Sequence, residues 1–276
     1  MSNKAKIRED AMSLNPMDDA LFQKMAESKD FCQEILQVIL GDKGLVVLTA
    51  NPQFMVKNLQ GRSCMLDAKC QLGNGKIVNI EVQKSDDDDH QRRVRFNGAL
   101  LTANLADPGS KFKQVPDVIV VFISKFDIFK SQRSLYHVDR IIRETGEIVD
   151  NGFTEIYVNA EIDDNTDVSE LMNVFVRDKA YDDVKFPVTS ASKRRYKTTE
   201  EGVREMCEVI ERNRAEGRAE GLAQGRAEGR AEGRAEGKAS LIIGMLKNKM
   251  KPEQVAQIAQ MSVEQIVAIG KKSAVL

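Results

Sequence analysis

The chain has 276 residues, 42% of them hydrophobic and 30% charged, which is enough apolar material for a packed core and argues against global disorder. Its 41 basic and 42 acidic residues give a net charge of −1, so only local patches could attract nucleic acid. The longest apolar run, residues 118–123, is far shorter than the ~20 residues of a membrane-spanning helix. Because the first ten residues are polar and lack a signal core, we expect a soluble, cytoplasmic protein.

The supply of metal-binding and nucleophilic side chains narrows the chemistry further. Four cysteines are scattered without CxxC spacing, as small apolar residues in a reducing compartment would be. Two histidines, His90 and His137, are too few for a His-rich zinc site, and a His-based triad is equally disfavoured. Any catalysis is therefore expected to use carboxylates and a hard metal ion.

The first 200 residues have the pattern of one mixed α/β unit. Asn15-Pro16 is typical of a helix start, with Asn15 as the N-cap and two aspartates in the first turn. A second helix follows a possible Asp30-x-x-Gln33 capping box. Further elements are predicted as strands near residues 54–56, 63–72 and 76–83, a helix over 90–105, a buried central strand over 115–123, and short strands over 136–143, 147–149 and 155–158.

The residue pattern changes after residue 200. We predict a helix and linker over residues 201–238 and a small helical module over residues 239–276. Thr198-x-x-Glu201 is a capping box that would open the helix. An Arg-Ala-Glu-Gly repeat then runs over residues 214–238, and its i,i+4 neighbours carry the same charge, so a lone helix pairs them poorly. Two interpretations stay open, a flexible spacer and a helix that pairs with a second copy to form a homo-oligomer.

The last segment is predicted to contain two or three short helices. Pro252 suits a helix start, and Ser262-x-x-Gln265 is a further capping box. A helix-turn-helix DNA reader is one interpretation, but residues 263–269 of the final helix carry no basic side chain. A small assembly module is the favoured one.

Two alternating stretches around Gly73-Asn-Gly75 predict a β-hairpin whose register can be chosen from its hydrophobic faces. A three-residue turn with Gly75 in the left-handed conformation makes one face wholly apolar, by pairing Cys70 with Val78, Ala68 with Ile80 and Leu66 with Val82. A two-residue turn mixes polar and apolar side chains on both faces. We therefore choose the three-residue turn.

This register places Asp67 opposite Glu81, with Gln83 further along the same face. Opposed carboxylates repel each other, and a divalent cation held between them would remove the repulsion. Oxygen-only ligands suit Mg²⁺ or Mn²⁺. The alternative is a pair of solvated acids on an exposed sheet face, and the spacing alone does not decide between the two.

Asp67, thirteen intervening residues and then Glu81-Val-Gln83 resemble the signature of PD-(D/E)XK nucleases, in the branch that ends in glutamine. The wider resemblance is to the Rpn-like recombination-promoting nucleases, also called PD-(D/E)XK nuclease family transposases, and it covers nearly the whole chain. Supporting stretches, besides the repeat tail, are Asp19-Ala-Leu-Phe22, Asn79-Ile-Glu-Val-Gln83, Phe126-Asp-Ile-Phe129, Tyr136-His-Val-Asp139 and Ile156-Tyr-Val-Asn159.

The resemblance implies a restriction-endonuclease-like α/β core, a mixed central sheet flanked by helices, with a helical C-terminal tail. It also implies metal-dependent cleavage of DNA with Mg²⁺ or Mn²⁺ as cofactor. Asp67 and Glu81 would be metal ligands, and Gln83 would stand where many relatives have lysine and orient water or phosphate. Asp19 matches an acidic position of the first helix and would complete the metal shell; its alternative role is to complement a helix N-terminus.

Three arginines, Arg92, Arg93 and Arg95, follow the acid motif and could hold DNA phosphates. Arg92 fits the arginine position of the resembled family best, and the alternative for all three is a solvated basic helix face. The sequence departs from the family at Arg95 and Asn97, where aromatic residues are expected. A second basic cluster, residues 193–197, is interpreted as a solvated linker.

The favoured function is thus a metal-dependent DNA endonuclease of recombination or mobile-element biology. The alternative, from another class, is a catalytically weak or inactive interaction protein that self-assembles through the repeat tail and the C-terminal helices. Intact Asp67, Glu81 and Gln83 favour the enzyme, since a decayed site would have lost one of them.

Overall fold

The computed structural model describes residues 3–58 and 60–273. The chain forms two compact units, one that ends at Glu211 and one that begins at Arg212. Among the described residues, no helix is both long enough and apolar enough to cross a membrane. The helices are α1 Asn3–Ser13, α2 Asp19–Met25, α3 Lys29–Ile39, α4 His90–Leu105, α5 Asp167–Val176, α6 Pro187–Thr198, α7 Glu200–Lys247, α8 Pro252–Ala259 and α9 Val263–Lys272. The strands are β1 Val47–Val56, β2 Cys64–Leu72, β3 Ile77–Gln83, β4 Val118–Ser124, β5 Leu135–Val138 and β6 Phe153–Asn159.

The first unit is a three-layer arrangement around one mixed sheet with the strand order β1-β2-β3-β4-β6-β5. β3, β4 and β6 are mutually parallel, whereas β1, β2 and β5 pair antiparallel with their neighbours. One face of the sheet packs against α2, α3, α5, α6 and the start of α7. The other face packs against α4. The predicted fold class is confirmed.

The predicted central strand is β4, in which all seven residues are buried because helices cover both faces of the sheet. The helix predicted over residues 90–105 is α4. The hairpin register is confirmed at Ala68↔Ile80 and Cys70↔Val78, and Gly75 has φ +86°.

Three predicted helix starts are wrong. α2 begins after Asp18 rather than at Asn15, because Asn15 N–H donates to Asp18 Oδ2 (2.7 Å) and closes a separate turn. α3 is capped by Ser28, and Gln33 instead accepts a hydrogen bond from the backbone N–H of Val47 in β1 (2.9 Å).

The start of α7 is displaced from the prediction by one residue. Thr198 is the last residue of α6, and the Thr199 hydroxyl accepts the hydrogen bond from the Gly202 N–H (3.0 Å). The tight junction depends on Gly202, where a Cβ would lie 2.2 Å from the Arg195 carbonyl oxygen. Among the predicted strands, residues 147–149 form only the isolated bridge Ile141↔Ile148, and β5 ends at Val138.

The basic cluster on α6 is not a solvated linker. The Lys193 side chain is fully buried, and its ammonium donates to the carbonyl oxygens of Val174 (2.9 Å), Arg177 (2.5 Å) and Ala180 (3.1 Å) at the end of α5. Burial, with Lys197 close by, lowers the pKa of Lys193 to about 8. Lys193 therefore fastens α6 to α5 by satisfying the last carbonyls of that helix.

The Arg-Ala-Glu-Gly repeat lies within α7, which is one continuous helix. Every residue from 211 to 238 is exposed, so no described side chain covers this part of the helix. In the second unit, Ile242, Leu246, Val255 and Ile266 form a small apolar cluster. Pro252 and the Ser262 capping box start α8 and α9 as predicted, but α9 continues to Lys272 and so carries two lysines in its last turn.

Candidate active site

Strands β2 and β3 part where the acidic residues lie. Their ladder ends at Ala68↔Ile80, although β2 stays paired with β1 as far as Cys64 and β3 stays paired with β4 as far as Gln83. In place of a further ladder bond, Asp67 Oδ2 accepts the backbone N–H of Val82 at 2.8 Å. The carboxylate of Asp67 is thus held between two strands.

The predicted pairing beyond this point is wrong. Leu66 packs in the apolar cluster on the α4 side of the sheet, whereas Val82 belongs to the cluster on the opposite side. The reason is the bond from Val82 to Asp67, which replaces the backbone partner that a regular ladder would supply. Asp67 and Glu81 are therefore neighbours across a gap between strands rather than a regular cross-strand pair.

Glu81 is buried and held by three donors. Its side chain is 1% exposed, and Oε1 accepts from the Nδ2 atoms of Asn79 (2.9 Å) and Asn97 (3.1 Å). Its Oε2 accepts from Arg93 Nη2 at 3.3 Å, which is also an ion pair. Since Arg93 and Asn97 both come from α4, that helix determines the orientation of the carboxylate.

Burial and nearby like charges disfavour the charged forms of both acids. Burial, followed by repulsion from Asp67, raises the pKa of Glu81 to about 8. Burial also raises the pKa of Asp67 to about 6, with a further contribution from the charge of Asp19, while the Val82 N–H bond opposes the rise. Arg93 lowers the pKa of both carboxyls but compensates only part of their charge. The site consequently holds an excess of negative potential that a cation would relieve.

Gln83 lies beside the pair and is fixed at both ends. Its Oε1 accepts from Arg93 Nη1 (3.1 Å), and its Nε2 donates to the carbonyl oxygen of Ser85 (3.0 Å) and to Asp87 Oδ1 (3.4 Å). The guanidinium of Arg93 thus bridges Gln83 and Glu81. Gln83 lacks the positive charge that a lysine would have, but it is in direct contact with Arg93, which carries a positive charge.

Asp19 is the first residue of α2, which packs on the face of the sheet opposite α4. Burial, with Asp18 next to it, raises the pKa of Asp19, and the charge of Asp19 acts on Asp67. An ion pair between Lys84 and Asp18 (2.6 Å) joins the end of β3 to the start of α2. Asp18 is the N-cap residue of that helix.

In the described part of the chain, the other two predicted arginines form no ion pair or hydrogen bond with Asp67 or Glu81. Arg92 is 77% exposed and pairs with Asp89 (3.2 Å), whose Oδ1 also accepts the Arg92 N–H (3.0 Å). Arg95 lines a separate cavity with Phe153. Of the three arginines, Arg93 is the one in contact with the acid pair.

Asn79 and Asn97 are site residues that the sequence reasoning missed. Both are buried, at 0% and 3% exposure, and both donate to Glu81. For Asn79 a signal existed, because an amide two residues before Glu81 on a buried strand lies on the same face and needs a polar partner. Asn97 stands out in the sequence only as a departure from an aromatic pattern.

Comparison with known proteins agrees with this architecture. Residues 17–173, more than half of the chain, match the family described as PD-(D/E)XK nuclease family transposase. The chain belongs to this family. No curated protein and no solved structure matches the chain. Membership in the PD-(D/E)XK nuclease family transposases supports a nuclease role in mobile-element biology and implies DNA as the substrate.

PD-(D/E)XK nucleases typically use divalent metals. Asp67 and Glu81 offer only oxygen ligands with uncompensated negative charge, which fits a hard divalent cation. Within residues 3–58 and 60–273, no three His, Cys, Asp or Glu side chains form a group that could hold a metal ion, so Asp19 does not complete a three-carboxylate shell. A pair of carboxylates still fits Mg²⁺, which commonly takes one or two of them with water and phosphate oxygens.

Proposed function

We propose that the protein is a metal-dependent DNA endonuclease that acts in recombination or mobile-element biology, in the cytoplasm. The observation that supports this most is the buried Asp67–Glu81 pair at the point where β2 and β3 part. A folded protein gains nothing in stability from two desolvated like charges, and sites with strongly raised carboxyl pKa values are typical of metal and catalytic centres.

In this proposal Asp67 and Glu81 are the ligands of Mg²⁺ or Mn²⁺, and Asp19 acts on the metal shell through water. The bound ion would lower the pKa of the attacking water and stabilise charge on the phosphate. Arg93 has its guanidinium beside the carboxylates, and in this proposal it also contacts the scissile phosphate. Gln83 holds that guanidinium through Oε1, so it acts as a positioning residue. Arg92 and Arg95 are proposed to contact more distant phosphates.

Supercoiled plasmid incubated with the purified protein tests this proposal. We expect nicked and linear products with Mg²⁺ or Mn²⁺ and none with EDTA, and loss of both products in Asp67→Ala and Glu81→Ala. Asp117→Ala is the matched control, because Asp117 is a half-exposed acid that precedes β4 at the other end of the sheet. Cleavage that survives in either site variant would refute the assignment.

Self-assembly is a second proposed property, and the exposed repeat supports it. Ala, Gly, Arg and Glu alternate along residues 214–238 of α7, where a Cβ added at Gly217, Gly225 or Gly233 would meet no other atom within 4 Å. A second copy of the helix could approach closely and place its glutamates against these arginines. We accordingly propose a catalytic domain over residues 1–200, a helix and repeat linker over 201–238, and an assembly module over 239–276.

A further inference from the structure

A second cavity opens directly beside the carboxylate pair. It has a volume of about 520 Å³ and is lined by the start of β2, the loop before α4 and the first two turns of α4. Arg93 and Asn97 line this cavity and also donate to Glu81, so its inner wall is the outer wall of the acid site. The volume lies within the ~300–1,000 Å³ range of small-ligand sites and is too small for a duplex.

One of the charged groups of the cavity is free to bind an anion. The lining contains three guanidinium groups, those of Arg62, Arg92 and Arg93, and two carboxylates, Asp88 and Asp89. Among the described residues Arg62 forms neither an ion pair nor a hydrogen bond, whereas the carboxylate of Asp89 pairs with the Arg92 guanidinium and accepts the Arg92 backbone N–H. Because Arg93 is paired with Glu81 and Arg92 with Asp89, Arg62 is the cation of the lining that is left to bind an anion.

The apolar groups of the cavity favour a flat ring. Phe96 is 36% exposed and Met65 is 41% exposed, although Val94 and Leu101 of α4 and Leu66 and Leu72 of β2 are buried. Phe96 follows Arg92 by one helical turn, so an aromatic face and a cation lie on the same side of α4. Aromatic side chains next to arginines are the usual platform for unpaired nucleic-acid bases.

We infer that this cavity binds one unpaired nucleotide of the DNA substrate, with the base against Phe96 and Met65 and a phosphate at Arg62. The inference rests on the proposed function and adds a substrate class to it. The protein would act preferentially on DNA with unpaired residues next to the cleaved phosphate, such as single strands, frayed ends or melted duplex.

Fluorescence anisotropy of the full-length protein in EDTA tests the inference without any cleavage. The probes are a fluorescein-labelled single-stranded oligodeoxynucleotide and the same sequence as a blunt duplex. We expect the single strand to bind more tightly, and Phe96→Ala to weaken its binding roughly 5- to 150-fold, since stacking contributes ~1–3 kcal/mol per base. Duplex binding should stay within about two-fold, because it depends on phosphate contacts.

Phe112→Ala is the matched control, because Phe112 is 93% exposed and lies outside this cavity. Phe96→Leu keeps the apolar packing and removes only the aromatic face, so a loss in both Phe96 variants with unchanged thermal stability would support stacking. Three results would each overturn the inference. The first is equal binding of strand and duplex, and the second is an effect of Phe112→Ala as large as that of Phe96→Ala. The third is competition by free dAMP as strong as competition by the unlabelled strand.

These outcomes are separable from the plasmid assay. A protein that binds single strands through Phe96 but never nicks DNA would refute the proposed function and leave the nucleotide site standing. A protein that cuts plasmid with Mg²⁺ but binds single strands equally well without Phe96 would support the proposed function and refute the nucleotide site.

Discussion

Replacing Asp67 with asparagine should stabilise the metal-free protein at alkaline pH. The asparagine keeps an oxygen for the Val82 N–H, which Asp67 Oδ2 accepts at 2.8 Å, and removes the negative charge next to Glu81. The change is therefore nearly isosteric, and its main effect is electrostatic.

The size of the effect follows from the pKa of Asp67. Burial raises the pKa of its carboxyl from 3.8 to about 6. Above pH 6 the charged carboxylate therefore destabilises the folded state by on the order of 3 kcal/mol. That pKa already includes the opposing hydrogen bond from the Val82 N–H. Asparagine should then gain up to ~3 kcal/mol, which is roughly 6–12 °C in Tm for a unit of this size.

The raised pKa values of the two carboxyls determine the sign of the pH dependence of stability. Because both folded-state pKa values lie above the ordinary carboxyl range, the folded protein binds more protons than the unfolded chain between about pH 4 and pH 8. Stability of the metal-free wild type should fall as pH rises through that window. In Asp67→Asn the fall should be smaller, because one of the two titrating groups is gone.

Thermal unfolding in EDTA from pH 5 to pH 8, followed by circular dichroism, measures this difference. Asp117→Asn serves as the control and should shift the Tm little, since its ion pair with Lys76 is half-exposed. A Tm of Asp67→Asn at pH 8 that equals or falls below the wild-type value would refute the electrostatic argument. Added Mn²⁺ should raise the wild-type Tm and leave that of Asp67→Asn nearly unchanged.

Further predictions concern other parts of the chain. Gln83→Ala should slow plasmid cleavage while calorimetric Mn²⁺ affinity stays within a few-fold, because Gln83 contacts Arg93; loss of Mn²⁺ binding would make Gln83 a metal ligand. Gly98→Ala should lower the free energy of unfolding in urea by ~1–3 kcal/mol, since its Cβ would lie 2.2 Å from Phe153 Cε2, and unchanged stability would contradict that close contact. Truncation after Glu211, which keeps the buried residues Val203 and Met206, should lower the oligomeric state in light scattering and preserve metal-dependent cleavage; a full-length monomer at low salt would contradict self-assembly.

The acid pair could be predicted from local pattern, because alternation along two strands and a glycine turn determine a hairpin register. Ala68↔Ile80 and Gly75 in the left-handed conformation follow from that rule. The rule ends where a side chain takes over a backbone hydrogen bond, as Asp67 does with Val82. No periodicity in the sequence signals such an exchange.

Contacts made by helices were less predictable, because the rotation of a helix over a sheet is determined by packing across the core. That rotation determines that Arg93, and not Arg92, contacts Glu81. α6 was missed for a related reason, since its start is capped by Glu34 of α3, whose oxygens accept the N–H groups of Val188 (3.0 Å) and Thr189 (2.7 Å). Such a cap is distant in sequence and invisible to local rules.

The guanidinium of Arg93 has a consequence for how an ion would enter the acid site. Because Arg93 pairs with Glu81 and lies 38% exposed, the folded chain supplies a cation of its own to the acid site. The raised pKa values of both carboxyls also favour a proton on the pair. On the proposed function, an incoming ion must compete with both. Hydrolysis would then begin only where the free-ion concentration is high enough to displace both the guanidinium and the proton.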